Sequence, residues 1–110
     1  MAKRKTSTIV RGSGNVAARG QRHEDEKQTK VRLAVAINQI IEKMAVSQTA
    51  AAQLLRINQP KISALVNYRL SGFSVERLIH FLNALGHDVE IVIRKPRSRR
   101  PGTIQVTTAR

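Results

Sequence analysis

Apolar residues between positions 24 and 44 recur with the period of an α-helix. Five of them share one helical face: Leu33, Ile37, Ile40, Ile41 and Met44. The acidic run 24–26 would lie at the positive end of the helix dipole, where carboxylates are stabilising. The pattern therefore predicts an amphipathic helix from about Glu24 to Met44.

Two shorter helices are predicted directly after it. Ser47 is a good N-cap for residues 48–55, whose three consecutive alanines would let another helix approach closely. Asn58 is a second N-cap, and Pro60 falls in the first turn of the next helix, where its missing N–H costs nothing. That helix would run to about residue 66, with Ile62 and Leu65 facing inward.

A fourth helix and a strand complete the predicted elements. Ser74 caps the helix, and Gly86 is placed to end it. Its buried stripe would comprise Leu78, Phe81, Leu82 and Leu85. The segment 87–94 is rich in β-branched residues and alternates in part, so it predicts a strand. The expected fold class is all-α: four helices followed by one C-terminal β-strand.

A lone strand needs a partner, because its backbone groups and apolar edge would otherwise stay open. We expect the same strand of a second copy to pair with it across a two-fold axis. Val89, Ile91 and Ile93 would then form the dimer interface. The alternative is a hairpin within the chain, with residues 103–108 as the partner.

The net charge of +13 is concentrated at the two ends of the chain. Residues 1–22 and 94–110 each hold six basic residues and no acidic one, whereas residues 23–93 carry a net +1. Glycine in the first segment and the sequence PRSRRPG in the second are typical of extended chain. We therefore predict a basic flexible arm (1–22), a folded domain (23–94) and a basic flexible tail (95–110).

Composition excludes several classes of function. The chain has no cysteine, and its three histidines, His23, His80 and His87, have no metal-ligand spacing. There is also no Gly-rich phosphate loop. We expect no metal, no cofactor and no enzymatic activity. The longest apolar run has five residues, so no membrane span is expected, and a bacterial cytoplasmic, nucleoid-associated location fits.

Two short helices joined by a tight turn form helix-turn-helix geometry. The segment 47–65, SQTAAAQLLRINQPKISAL, resembles the second and third helices of the phage-repressor-like (Xre) family. Residues 69–94 resemble the small branch of that family that includes HigA-type antitoxins. Arg56 stands where the family often has glycine. The turn must therefore hold Arg56 at positive φ or be built differently.

The resemblance makes the helix after Asn58 a recognition helix, whose N-terminal residues enter the major groove first. Gln59 suits adenine and Lys61 suits guanine, so these two are the strongest candidates to read bases. Candidate DNA-binding residues overall are Ser47, Gln48, Asn58, Gln59, Lys61, Ser63, Arg69 and Ser71. Gln48, Arg69 and Ser71 are expected on phosphates, and Asn58 is first of all a cap.

The leading hypothesis is a repressor that binds a palindromic operator in double-stranded DNA as a homodimer. The resemblance also implies an antitoxin that regulates its own operon and neutralises a RelE-like toxin. That toxin would be basic, so the acidic run 24–26 suits it better than the basic arms do. The alternatives are a stand-alone phage or mobile-element repressor, and a non-specific nucleic-acid-binding protein.

Overall fold

A computed structural model describes residues 17–109 of the chain. This part forms four helices: α1 (Ala17–Met44), α2 (Gln48–Leu55), α3 (Gln59–Val66) and α4 (Val75–Ala84). The last three lie where the sequence pattern predicts them. Ser47, Asn58 and Ser74 each cap the helix that follows, as predicted.

Helix α1 begins seven residues earlier than the hydrophobic pattern indicates. Residues 17–22 of the predicted N-terminal arm belong to this helix, and residues 1–16 lie outside the described residues. The apolar stripe could not indicate this extension, because it begins only at Leu33. Residues 21–23 contain no glycine or proline that would stop the helix, and the helix continues through Gly20 to Ala17 although glycine is unfavourable inside a helix.

One apolar core joins the four helices. Helix α1 packs against α3 and α4, and α2 packs against the same two helices. The largest fully buried side chains come from three of them: Ile37, Ile62, Leu65 and Leu78. Ala51 and Ala52 are buried where α2 meets its neighbours, as the alanine run predicts. The predicted core position Met44 is instead 42% exposed, because α1 ends there.

All four helices are followed by a residue in the left-handed region. These residues are Ala45, Arg56, Tyr68 and Gly86, with φ between 57° and 85°. Only α4 uses glycine, which adopts this conformation without steric cost. After α2, α3 and α4, the N–H of the left-handed residue and the N–H of the residue after it both bond back to carbonyls of the last turn, as in a Schellman motif. Two carbonyls of the last turn are therefore paired at each of these three ends, and after α1 the Ala45 N–H bonds to the Glu42 carbonyl at 3.1 Å.

The predicted C-terminal β-strand is wrong. Residues 87–109 contain neither strand nor helix. A strand is defined by ladder hydrogen bonds to another strand, and β propensity alone cannot supply that partner. The alternative pairing with residues 103–108 does not form a ladder in the described chain either. Val89 and Val106 nevertheless pack against the core, so this segment contacts the domain at two points.

Candidate nucleic-acid interface

Helices α2 and α3 are joined by a three-residue turn that both helices hold in place. Arg56 has φ 60° and ψ 45°, so the turn is built with a non-glycine residue in the left-handed region. The next residue, Ile57, donates its N–H to the Ala52 carbonyl at 3.0 Å and packs against the core. Asn58 Oδ1 then accepts from the Lys61 N–H at 2.9 Å and starts α3.

The buried side of α3 decides which of its residues face outward. Ile62 and Leu65 are fully buried, and at 100° per residue the opposite side carries Pro60, Ser63 and Asn67. Gln59 lies between these two sides and is exposed. Ser63 is half-buried, and its side chain lies on the side of α3 that faces away from Ile62 and Leu65. The N-terminal half of α3 thus presents polar groups to solvent while its other face is anchored.

Lys61 differs from the other predicted base readers because its charged end is already engaged. Its Nζ donates to the Gly72 carbonyl at 2.9 Å and lies 4.7 Å from the centre of the Phe73 ring. Phe73 itself is buried and meets Phe81 edge-to-face at 5.8 Å. The ammonium therefore ties α3 to the loop before α4. Base reading by Lys61 stays a prediction, and a guanine would have to displace this contact.

The loop 67–73 holds two buried side chains among exposed residues. Leu70 and Phe73 are buried, whereas Arg69 and Ser71 are exposed. The Phe73 N–H donates to the Leu70 carbonyl at 3.0 Å, which closes a turn between the two buried residues. The loop is held by its two buried side chains and by the contact with Lys61. The backbone that carries Arg69 and Ser71 is therefore fixed next to α3.

The start of α2 supplies the remaining predicted contacts. Ser47 Oγ accepts from the Ala50 N–H at 3.1 Å, and Ser47 and Gln48 are both exposed. Free N–H groups and the positive dipole end of a helix favour an anionic oxygen at such a position. The eight predicted DNA-binding residues therefore come from three parts of the fold: the start of α2, helix α3 with its N-cap Asn58, and the loop that Lys61 joins to α3.

Sequence reasoning missed two amides that support this surface. Asn38 of α1 donates through Nδ2 to the Leu65 carbonyl at 3.2 Å, so it fixes the end of α3 on α1. Asn38 Oδ1 is buried without a partner in the described chain. Asn67 Nδ2 donates to the Ser63 carbonyl at 2.8 Å. Asn38 lies outside the apolar stripe of α1, so the hydrophobic pattern gave no signal for its contact with α3.

The described surface has little internal charge pairing. Within residues 24–109, one salt bridge joins His80 to Glu76 at 3.6 Å, and both side chains are largely exposed. Such an exposed pair contributes little to stability. In the described chain, no group of three or more His, Asp or Glu side chains is arranged so that it could hold a metal ion. No helix of that part is long and apolar enough to cross a membrane.

Known protein families and solved structures include close matches to this domain. Residues 16–94 match the family model of a helix-turn-helix domain. A solved structure that carries the description XRE-family transcriptional regulator is 60% identical in sequence, with a TM-score of 0.76. The match covers 79% of this chain and 99% of that one. The chain belongs to the XRE family of helix-turn-helix proteins. A search of curated proteins gave no match.

The family assignment confirms the resemblance seen in residues 47–65. In this XRE-family domain, α2 and α3 are the two helices of the motif, and α3 holds the place of the recognition helix. The family model ends at residue 94, so the stretch 95–109 lies beyond the part that defines the family.

Proposed function

We propose that this XRE-family protein is a sequence-specific DNA-binding transcriptional repressor. The observation that carries the proposal is the α2–turn–α3 unit, whose polar outer surface is exposed while Ile62 and Leu65 anchor α3 in the core. An α-helix fits the major groove of B-form DNA, where each base pair presents a distinct pattern of donors and acceptors. A rigidly held helix can read that pattern with little loss of conformational entropy on binding.

Gln59 is the side chain best placed to read a base. It is exposed in the first turn of α3, and its amide can donate to N7 and accept from N6 of one adenine. Asn58 uses Oδ1 as the helix cap, which leaves its NH₂ group for DNA. Ser63 follows on the side of α3 that faces away from Ile62 and Leu65. These three residues would determine which operator is preferred.

Phosphate contacts would position the protein without reading sequence. Ser47 and Gln48 approach one phosphate from the start of α2, and Arg69 and Ser71 approach another from the loop after α3. Arg69 supplies a charge-assisted contact, which is stronger than a neutral one. All four side chains are exposed, which is what this role requires.

A homodimer would double this interface and read a palindrome. Support comes from the exposed apolar side chains after α4: Ile91 is 73% exposed and Ile93 is 82% exposed. Val89, the third predicted interface residue, is half-buried against its own core and would contribute less. Contact between two copies would remove this apolar surface from water.

An antitoxin role is the finer form of the proposal. It is supported by the resemblance of residues 69–94 to the HigA-type branch and by the acidic run 24–26, in which Glu24 and Glu26 are exposed. A basic RelE-like ribonuclease would be attracted to these carboxylates. Co-purification with a small ribonuclease from the same operon would support the antitoxin role. If the operon encodes no such ribonuclease, the protein is a stand-alone repressor.

Selection of bound sequences from a random DNA pool, followed by footprinting, tests the proposal. We expect one protected palindromic site that survives moderate salt. Equal affinity for every sequence would contradict the repressor and support the non-specific nucleic-acid-binding alternative.

A further inference from the structure

The stretch after α4 is attached to the domain before and after its most basic part. Val89, which precedes the basic residues, packs against the core, and Val106, which follows them, packs against it too. Val106 and Thr108 line a groove of about 320 Å³ together with Val35, Ala36 and Gln39 of α1. The chain thus leaves α4, passes through residues 94–100 and returns to α1. Residues 90–105 therefore form a loop that contacts the domain at both ends, through Val89 and Val106.

Five cations lie within this loop: Arg94, Lys95, Arg97, Arg99 and Arg100. All five side chains are exposed, and none forms a salt bridge with a carboxylate of the described residues. No acidic residue occurs between positions 91 and 109. We call residues 94–100 the basic loop.

Concentrating five like charges in seven residues raises the free energy of the chain through mutual repulsion. A polyanion removes this repulsion, and DNA also gains entropy by releasing the counterions it had condensed. Pro96 and Pro101 restrict the backbone on both sides of Arg97, Arg99 and Arg100. Because the loop is anchored twice, less conformational freedom remains to be lost on binding than in a free tail.

We propose that the basic loop is a phosphate-binding element that engages the DNA backbone without regard to sequence, and that Val106 holds it to the domain. The proposal rests on DNA binding by the helix-turn-helix and adds a second contact region outside it. The loop contributes overall affinity, and α3 contributes preference for one sequence. Recognition of the operator sequence and charge-driven binding to DNA therefore depend on different parts of the chain.

The charge of the loop is tested with the full-length triple variant Arg97→Gln, Arg99→Gln and Arg100→Gln. Affinity for the selected operator and for unrelated duplex DNA should fall by the same factor. The slope of log affinity against log salt should become shallower by up to about 2.7, since each lost phosphate contact removes about 0.9. An unchanged slope overturns the proposal.

The anchor is tested with Val106→Asn against its matched control Ile104→Asn. Ile104 is 57% exposed, whereas Val106 packs against the core, so the same substitution releases the loop only at position 106. We expect Val106→Asn to weaken binding to all DNA several-fold and Ile104→Asn to leave it unchanged. Equal behaviour of the two variants would mean that the arginines act as a free tail, which contradicts the anchor.

Two further outcomes separate this proposal from the repressor function. Wild-type protein that protects no preferred site contradicts the repressor, whatever the loop does. A protected site combined with an unchanged salt slope in the triple variant contradicts the loop alone. Loop-dependent binding to phosphatidylserine vesicles, without any effect on DNA, would assign the loop to a lipid surface and overturn the proposal.

Discussion

Lys61 Nζ donates a hydrogen bond to the Gly72 carbonyl oxygen at 2.9 Å and so joins α3, the proposed recognition helix, to the loop before α4. The same ammonium lies over the Phe73 ring. Sequence alone assigns Lys61 to a base, because lysine near the start of a recognition helix suits guanine. The structure gives it a second role inside the chain, and the two roles predict different consequences of mutation.

Lys61→Met should destabilise the protein even in the absence of DNA. It keeps most of the aliphatic stem but removes the hydrogen bond and the cation–π contact, so the free energy of unfolding should fall by about 1 kcal/mol. Urea denaturation followed by circular dichroism measures this. The control is Lys27→Met on the exposed side of α1. If both variants unfold at the same urea concentration, the contact with Gly72 adds nothing to stability.

Gln59→Ala should reduce sequence preference more than it reduces binding as such. Loss of a bidentate contact to adenine should cost about 1–3 kcal/mol of discrimination at that base pair. Parallel titrations of the selected operator and of a variant changed at one base measure it. Gln28→Ala, an exposed glutamine of α1, is the control. A ratio of affinities that matches wild type would remove Gln59 from the base-reading set.

Arg56→Gly should stabilise the fold. Arg56 has φ 60°, a conformation that costs a non-glycine residue about 1 kcal/mol or more and costs glycine nothing sterically. The gain should be up to about 1 kcal/mol, because glycine also loses more backbone entropy on folding. Gln53→Gly, within α2, should lower stability by a similar amount. A melting temperature for Arg56→Gly below that of wild type would contradict this reading of the turn.

Asn38→Asp should destabilise the protein more than Asn38→Ala. The alanine variant loses one hydrogen bond to Leu65, worth about 1 kcal/mol, whereas the introduced carboxylate would face the Leu65 carbonyl without a proton to donate. Gln39→Asp, at an exposed neighbouring position, controls for the added charge. Thermal unfolding at neutral pH ranks the variants, and equal melting temperatures for Asn38→Asp and Asn38→Ala would exclude the bond to α3.

Ile91→Lys should dissociate the proposed homodimer. The side chain is largely exposed in the single chain, so the substitution places a charge only where a second copy would cover the surface. Sedimentation velocity should show a shift from dimer to monomer with unchanged helix content. Val31→Lys, on the exposed side of α1, should leave the assembly intact. A dimer that persists in Ile91→Lys places its interface elsewhere.

The last three helices were predictable because their signals are local. Ser47, Asn58 and Ser74 each accept a backbone N–H three residues ahead, a contact that depends on the immediate sequence alone. The burial of Ile62 and Leu65 followed from helical spacing in the same way. The α2–turn–α3 motif consists only of such local features, which is why the family resemblance could be seen in residues 47–65.

What the sequence left open depends on contacts between distant residues. The segment 87–94 has β propensity, but propensity cannot provide the partner that a strand requires, and the described chain provides none. The Lys61–Gly72 bond and the Asn38–Leu65 bond join residues 11 and 27 positions apart, so only the packing of α1, α3 and the loop decided them. The packing of Val106 against the core likewise joins residues that are distant along the chain. Sequence determined the helices and the motif, whereas tertiary packing decided how the polar groups around the motif are held, because it alone brings those separated residues together.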